Sequence, residues 1–276
     1  MKEIFKSLNR ISTERIVNFV ELRISSIKHL KLDNKNGCLI CGEDLVYNNL
    51  QKRIECFYCK NTFETNVLCL NHHYVCDECH SMPAYSAVET FCSKSLLKNP
   101  LEIAILLMHH PSIKMHGPEH HFLVAASLLT AYYNTTNEPT NKSVMLSEAQ
   151  KRAKNILGGF CGYYGNCGAA VGTGIFMSLI THSTPLAKEE WKLCNLMTSN
   201  SLHSIAHAGG PRCCKRNTYL AIIEASRFVN ENLQIPLKTG KQLQCPFSQL
   251  NRECKKEECK FYKGCSIDTS FAQNES

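Results

Sequence analysis

The chain has 276 residues and 31.1 kDa, with a formal net charge of +7 from 31 Lys+Arg against 24 Asp+Glu. Its 17 cysteines make it about 6% cysteine, well above ordinary usage. With 43% hydrophobic and 20% charged residues, the composition suits a globular protein with a real core and excludes wholesale disorder.

Charges occupy the first six residues, Met1 to Lys6, where a signal peptide needs an apolar stretch, and the longest nearly apolar run, Phe122 to Tyr133, is too short to span a bilayer. A cytoplasmic protein without a membrane partner is expected. In a reducing compartment, clustered cysteines serve as metal ligands or reactive thiols rather than disulfides.

Ile4, Phe5, Leu8, Ile11, Val17, Val20, Ile24, Ile27 and Leu30 recur near a 3.6-residue spacing without Gly or Pro, which predicts a helical segment over 1–36. Residues 37–82 read as a zinc-ribbon module with two zinc sites. Its first part holds two CxxC knuckles, Cys38/Cys41 and Cys56/Cys59, joined by strand-forming residues. Each knuckle aims two thiolates at one ion, and such a small segment takes most of its folding free energy from the metal, on the order of 10 kcal/mol. Cys69, His73, Cys76 and Cys79 supply a second set. Sharing or exchange of ligands between the two sets stays open, because spacing fixes ligand supply better than ligand pairing.

Residues 83–240 read as a helical central domain. Helices are expected to start at Asn99-Pro100, Gly117-Pro118, Thr184-Pro185 and Gly210-Pro211, since proline at the first helical position loses only an amide without a partner. A further helix is expected over 146–157, after an exposed loop over 134–143, and the glycine-rich 158–174 is expected to form tight loop with short helical pieces. Cys92, among apolar neighbours, reads as core. Residues 241–276 form a last module in which Cys245, Cys254, Cys259 and Cys265 close around zinc or an iron-sulfur cluster, followed by a tail. The fold class is therefore mainly α, with a small β module and a C-terminal cysteine-rich knuckle.

Within the central domain, Cys161 and Cys167 lie among glycines that bring backbone close to a ligand, a cluster or a neighbouring helix. Cys213 and Cys214 are placed in a helix's first turn beside Arg212, Lys215 and Arg216, where free amides, dipole and cations favour thiolates or an anionic substrate. His116, Glu119 and His120 repeat this design with proton-transfer groups, and Cys194 stands near enough in sequence to complete a site.

The motifs CxxCG…CxxC, Tyr-Val-Cys-Asp-Glu-Cys-His-Ser at 74–81, His-Gly-Pro-Glu-His-His at 116–121 and Gly-Gly-Pro-Arg-Cys-Cys-Lys-Arg at 209–216 resemble a cysteine-rich prokaryotic and archaeal family of unknown function. Cys161 and the run at 165–172 are similar to a redox family named for its C, GCAxxG, C, C pattern, although Asn166-Cys167-Gly168 departs from it. That resemblance implies a companion of radical S-adenosylmethionine enzymes or methyltransferases. Gly117-Pro118 and Gly168-Ala169-Ala170 resemble iron-sulfur serine dehydratases and cysteine desulfidases, in which one iron is open to substrate.

The expectation is a multi-metal protein, either an iron-sulfur or thiol-redox enzyme or an accessory to one, acting on a small anionic substrate. Cys161, Cys167, Cys213 and Cys214 would form its centre, with Cys194, Arg212, Lys215 and Arg216 binding cofactor or substrate. The alternatives are a zinc-ribbon adaptor for nucleic acid or protein, or a maturation partner of another metalloenzyme. Two four-thiolate zinc sites at about −2 each and a three-thiolate site at about −1 would bring the charge of +7 down to roughly +2, which weakens the case for nucleic acid.

Overall fold

A computed structural model describes residue 38 and residues 44–56, 61–110 and 112–267, apart from the side chains of 79–83 and 139. The helical segment expected over 1–36, Cys41, Cys59 and the C-terminal tail lie outside the described residues. Strands β1 (Leu45–Glu55) and β2 (Thr62–Cys69) pair antiparallel. The register runs from Leu45 opposite Cys69 to Glu55 opposite Thr62, places Arg53 across from Glu64, and shifts between Tyr47 and Lys52. The oppositely charged pair suits a solvated ladder.

Helix α1 (Asp77–Lys94) begins six residues before Pro83, so the boundary expected at 82/83 falls inside a helix. Cys76 is its extended N-cap residue, and Asp77 and Glu78 occupy the first turn, where negative charge is favourable. Helix α2 (Pro100–Met108) starts where Asn99-Pro100 placed it, with Asn99 Oδ1 accepting from the Leu101 and Glu102 amides at 3.0 and 3.2 Å.

Helix α3 (Glu119–Thr136) is followed after two residues by α4 (Pro139–Ala153). The exposed loop expected over 134–143 is therefore only a tight turn. Asn137 ends α3 in the left-handed conformation at φ 60°, which asparagine tolerates, and Pro139 opens α4. The polarity that suggested a loop serves the interior: Lys142 is buried and donates to the Ser95 carbonyl and to Asn134 Oδ1.

The glycine-rich stretch divides into α5 (Phe160–Tyr163) and α6 (Gly168–Ile180). Helix α7 (Glu189–His207) begins four residues after Pro185, which stands in a turn closed by the Ala187 amide and the Thr184 carbonyl. Helix α8 (Cys214–Leu233) begins three residues after Pro211, whose bond to Gly210 is cis. The N-cap of α8 is Cys213, whose sulfur accepts from the Arg216 amide at 3.4 Å. That capping replaces the proline start expected from the sequence.

Helix α3 packs against α1, α2, α4, α6 and α8. Every residue from Phe122 to Ala131 is buried, as in a helix that is apolar on all sides and surrounded by others. The α3–α6 crossing is close because α6 presents glycine: a Cβ on Gly172 would come within 2.6 Å of the His121 carbonyl oxygen, and one on Gly168 would collide with the His121 ring. Much of the glycine signal is therefore helix packing. Cys92 is fully buried, as read, and burial pushes its thiol up to about 12.

The C-terminal segment pairs β3 (Gln242–Leu243) with β4 (Cys265–Ser266). It anchors on the helical domain through buried Phe247 and Phe261, the latter 5.3 Å from the Tyr219 ring. The described fold is thus mainly helical with two small two-stranded sheets. Among the described residues, no helix is long and apolar enough to cross a membrane.

Candidate metal centres

At the base of the β1–β2 hairpin, the ligand atoms of Cys38, Cys69 and His73 all lie within 4.8 Å of one another. Cys38 Sγ is 3.8 Å from His73 Nδ1. Tetrahedral zinc with bonds of about 2.0–2.3 Å holds its ligand atoms roughly 3.5–3.8 Å apart, so the trio could hold such an ion. A turn at His72, φ 60°, brings His73 back to Cys69: the Cys69 amide donates to the His73 carbonyl, and the His73 amide donates to Cys69 Sγ at 3.3 Å.

Cys56 is engaged elsewhere, accepting at its sulfur from the Cys76 amide at 3.3 Å. The two sets thus interleave in space: the first knuckle's Cys38 lies with Cys69 and His73, while the second knuckle's Cys56 lies beside the Cys76 amide. Such exchange was left open by spacing. Cys41 and Cys59 lie outside the described residues, and Cys79 is described only as backbone in the first turn of α1.

Adjacent Cys213 and Cys214 part company at the start of α8. Cys213 lines a small pocket with Cys245, Cys254 and Cys259. Cys265 sits on β4 opposite Leu243, outside that lining although within electrostatic reach of Cys259. Cys214 lies on the other side, within electrostatic reach of Cys167. Cys167 is the N-cap residue of α6, and its sulfur accepts from Asn217 Nδ2 at 3.4 Å. Cys161, half-buried on α5, and Cys214 are both within reach of the Arg212 guanidinium. Cys194 instead packs against the helical core from α7.

The thiolate character expected at the start of α8 meets an opposing effect. Burial pushes the Cys214 thiol up to about 12 although Arg212 pulls it down, and it raises Cys213 and Cys167 and takes Cys245 to about 11. A bound metal ion reverses this by deprotonating the thiols it coordinates.

The three cations beside these cysteines also divide. Lys215 is fully buried, its ammonium directed at the Met108 and Ile113 carbonyls and 4.8 Å from the Phe247 ring centre. Arg216 donates to the Gly209 and Pro211 carbonyls. Both were expected to hold an anion; both are turned instead to backbone carbonyls at loop ends that need donors. Arg212 alone of the three is exposed, and it donates to the Tyr47 hydroxyl at 2.8 Å.

His116 Nε2 lies 3.2 Å from both Asn251 Oδ1 and Glu253 Oε2, and burial lowers its pKa. Glu119 and His120 are in the interior. Glu119 accepts from the Lys114 amide at 2.8 Å; burial raises its pKa and lowers that of Lys215, each charge partly supporting the other. His120 is held neutral by burial, with Nδ1 on the Gly117 carbonyl.

Sequence reasoning missed Asn217, Asn251, Glu253 and Tyr47. Asn217 was within reach of it, since it lies three residues after Cys214 and hence on the same side of a helix. Asn251, whose Nδ2 lies 3.5 Å from Cys213 Sγ, carries no local signal, because docking of the C-terminal segment brings it there.

No curated protein and no solved structure matches the chain. A family model does match; it spans the central helices and the cysteines at 213, 214, 245, 254 and 259, and it stops short of Cys265. By this match over residues 88–262, the chain belongs to the family of unknown function DUF5714.

Proposed function

We propose that this is a cytoplasmic multi-metal protein in which a zinc-bearing hairpin supports a helical domain with a cysteine centre of the iron-sulfur or thiol-redox type. In this reading Cys38, Cys69 and His73, joined by Cys41 from the same knuckle, hold one zinc. Cys56 and Cys76, joined by Cys59 and Cys79 at CxxC spacing, hold the second. Cys161, Cys167 and Cys214 form the working centre, which acts on a small anionic substrate directly or on behalf of a partner metalloenzyme. Arg212 holds the anion, and His116 exchanges the proton.

The observation that carries the reading is the position of Arg212, an exposed guanidinium within reach of both Cys161 and Cys214, since a fixed cation beside sulfur favours both thiolate and anion. Anaerobic purification with metal analysis, followed by timed alkylation and mass spectrometry, tests it. The expected result is iron at the central thiols, or else alkylation of Cys161 that sulfate slows in the wild type and not in Arg212→Gln. Zinc as the sole metal, with Cys161 alkylated at a rate indifferent to sulfate, would overturn it.

A further inference from the structure

Cys213, Cys245, Cys254 and Cys259 come from the start of α8 and from a segment more than thirty residues later, yet they line one pocket. The sulfurs of Cys213, Cys245 and Cys254 are supplied with donors of the kind thiolates need. Cys213 Sγ accepts from the Arg216 amide at 3.4 Å and faces Asn251 Nδ2 at 3.5 Å. Cys254 Sγ accepts from the Lys256 amide at 3.4 Å, and the Phe247 amide serves Cys245. Buried Lys215 and Arg216 line the same pocket. Their polar heads are held by backbone carbonyls and Lys215 is supported by Glu119, yet Lys215 is also within electrostatic reach of Cys213 and Cys245, so its charge favours thiolates around a metal centre there.

Sulfur spacing separates the candidates. Four thiolates on one zinc, with bonds of about 2.3 Å, stand roughly 3.8 Å apart. Among the described residues, the set whose ligand atoms all fall within 4.8 Å is Cys38, Cys69 and His73, so no three of these four sulfurs are that close. A wider ring of thiolates is the geometry of a polynuclear centre, in which cysteines bind different irons. We propose that Cys213, Cys245, Cys254 and Cys259 together ligate one iron-sulfur cluster, and that Cys265 is not a ligand. Four protein thiolates leave no iron open to substrate, so this cluster is distinct in kind from the centre assigned to Cys161, Cys167 and Cys214. Amide and cation contacts to its sulfurs would set its potential.

The full chain, reconstituted anaerobically with ferrous iron and sulfide, provides the test. Cys254→Ser is expected to lose iron and acid-labile sulfide in equal amounts. Cys265→Ser is expected to keep the wild-type content, and Cys161→Ser is expected to keep the increment that Cys254→Ser loses, whatever the central thiols hold. Differential alkylation of the unmutated protein gives a second readout that does not depend on a variant folding: Cys213, Cys245, Cys254 and Cys259 are protected until the cluster is destroyed by oxidation, whereas Cys265 is modified throughout. Zinc without sulfide at the four protected thiols would overturn the proposal. So would loss of iron in Cys265→Ser equal to that in Cys254→Ser, or alkylation of the four before oxidation.

Discussion

No residue of β1 is buried and only Thr65 and Cys69 are buried on β2, whereas α3 buries an unbroken run from Phe122 to Ala131 and is surrounded by five other helices. Val46, Tyr47 and Leu50 of the hairpin face solvent. The hairpin meets the rest of the protein through contacts such as Arg212 to Tyr47 and Arg252 to Asp44, at 2.8 and 2.7 Å, and exposed pairs of this sort contribute about 1 kcal/mol or less. The two regions teach that cysteine density accompanies sparse apolar burial: where the strands bury little, Cys38, Cys69 and His73 gather at the open end of the ladder and Cys56 with Cys76 at its turn end, and where the core is continuous, cysteine can be an ordinary buried side chain, as Cys92 is.

The sharpest way to break this comparison is to remove metal. A structural metal can contribute about 10 kcal/mol to a module without a core, so under the proposed function chelation or His73→Ala should abolish hydrogen-exchange protection across β1 and β2 while α3 and α8 stay protected. Simultaneous loss of protection in α3 would show that the helical domain also depends on that ion. A core change should do the reverse. Phe122 is fully buried, its ring 5.5 Å from that of Tyr85, and Phe122→Ala should cost about 3–5 kcal/mol. The helical melting transition should fall, with the zinc content of the hairpin unchanged.

Acid sharpens the contrast further. Burial lowers the pKa of His121 from 6.5 to about 4, so an unfolded chain takes up this proton near its ordinary pKa while the folded chain refuses it until near 4. The contribution is complete above about 6.5 and lost as pH falls to 4, by up to about 3 kcal/mol. Denaturant melts of the wild type and His121→Gln over that window should diverge in slope, with the wild type the steeper. Parallel slopes would remove His121 as the cause.

Much of this organisation was legible in the chain. The helical class, the strand-forming residues between the knuckles, the Asn99-Pro100 helix start and the buried Cys92 follow from periodicity, capping and composition. His73 lies where a ligand beside Cys38 and Cys69 could stand. Three of the proline-based helix starts were displaced, because Pro118, Pro185 and Pro211 precede their helices by one to four residues and the starts were taken by Pro118 itself, Lys188 and Cys213 as N-cap residues. The stretch 134–143 misled because two of its polar residues, Asn134 and Lys142, face inward to the Ser95 carbonyl and to one another, and the exposed ones lie on a tight turn and a helix surface. Local rules could not show that Cys213 joins the C-terminal cysteines while Cys265 stays apart, since this depends on where Phe247 and Phe261 seat a segment distant in sequence.

Cys213 is the extended N-cap residue and Cys214 the first helical one, and this change of backbone conformation sends one thiol to the pocket with Cys245 and the other toward Cys167. The register of the chain at this point therefore acts as an address. Inserting a single residue between Cys214 and Asn217 would keep both cysteines in the sequence, keep the helix, and turn each sulfur away from its present partners.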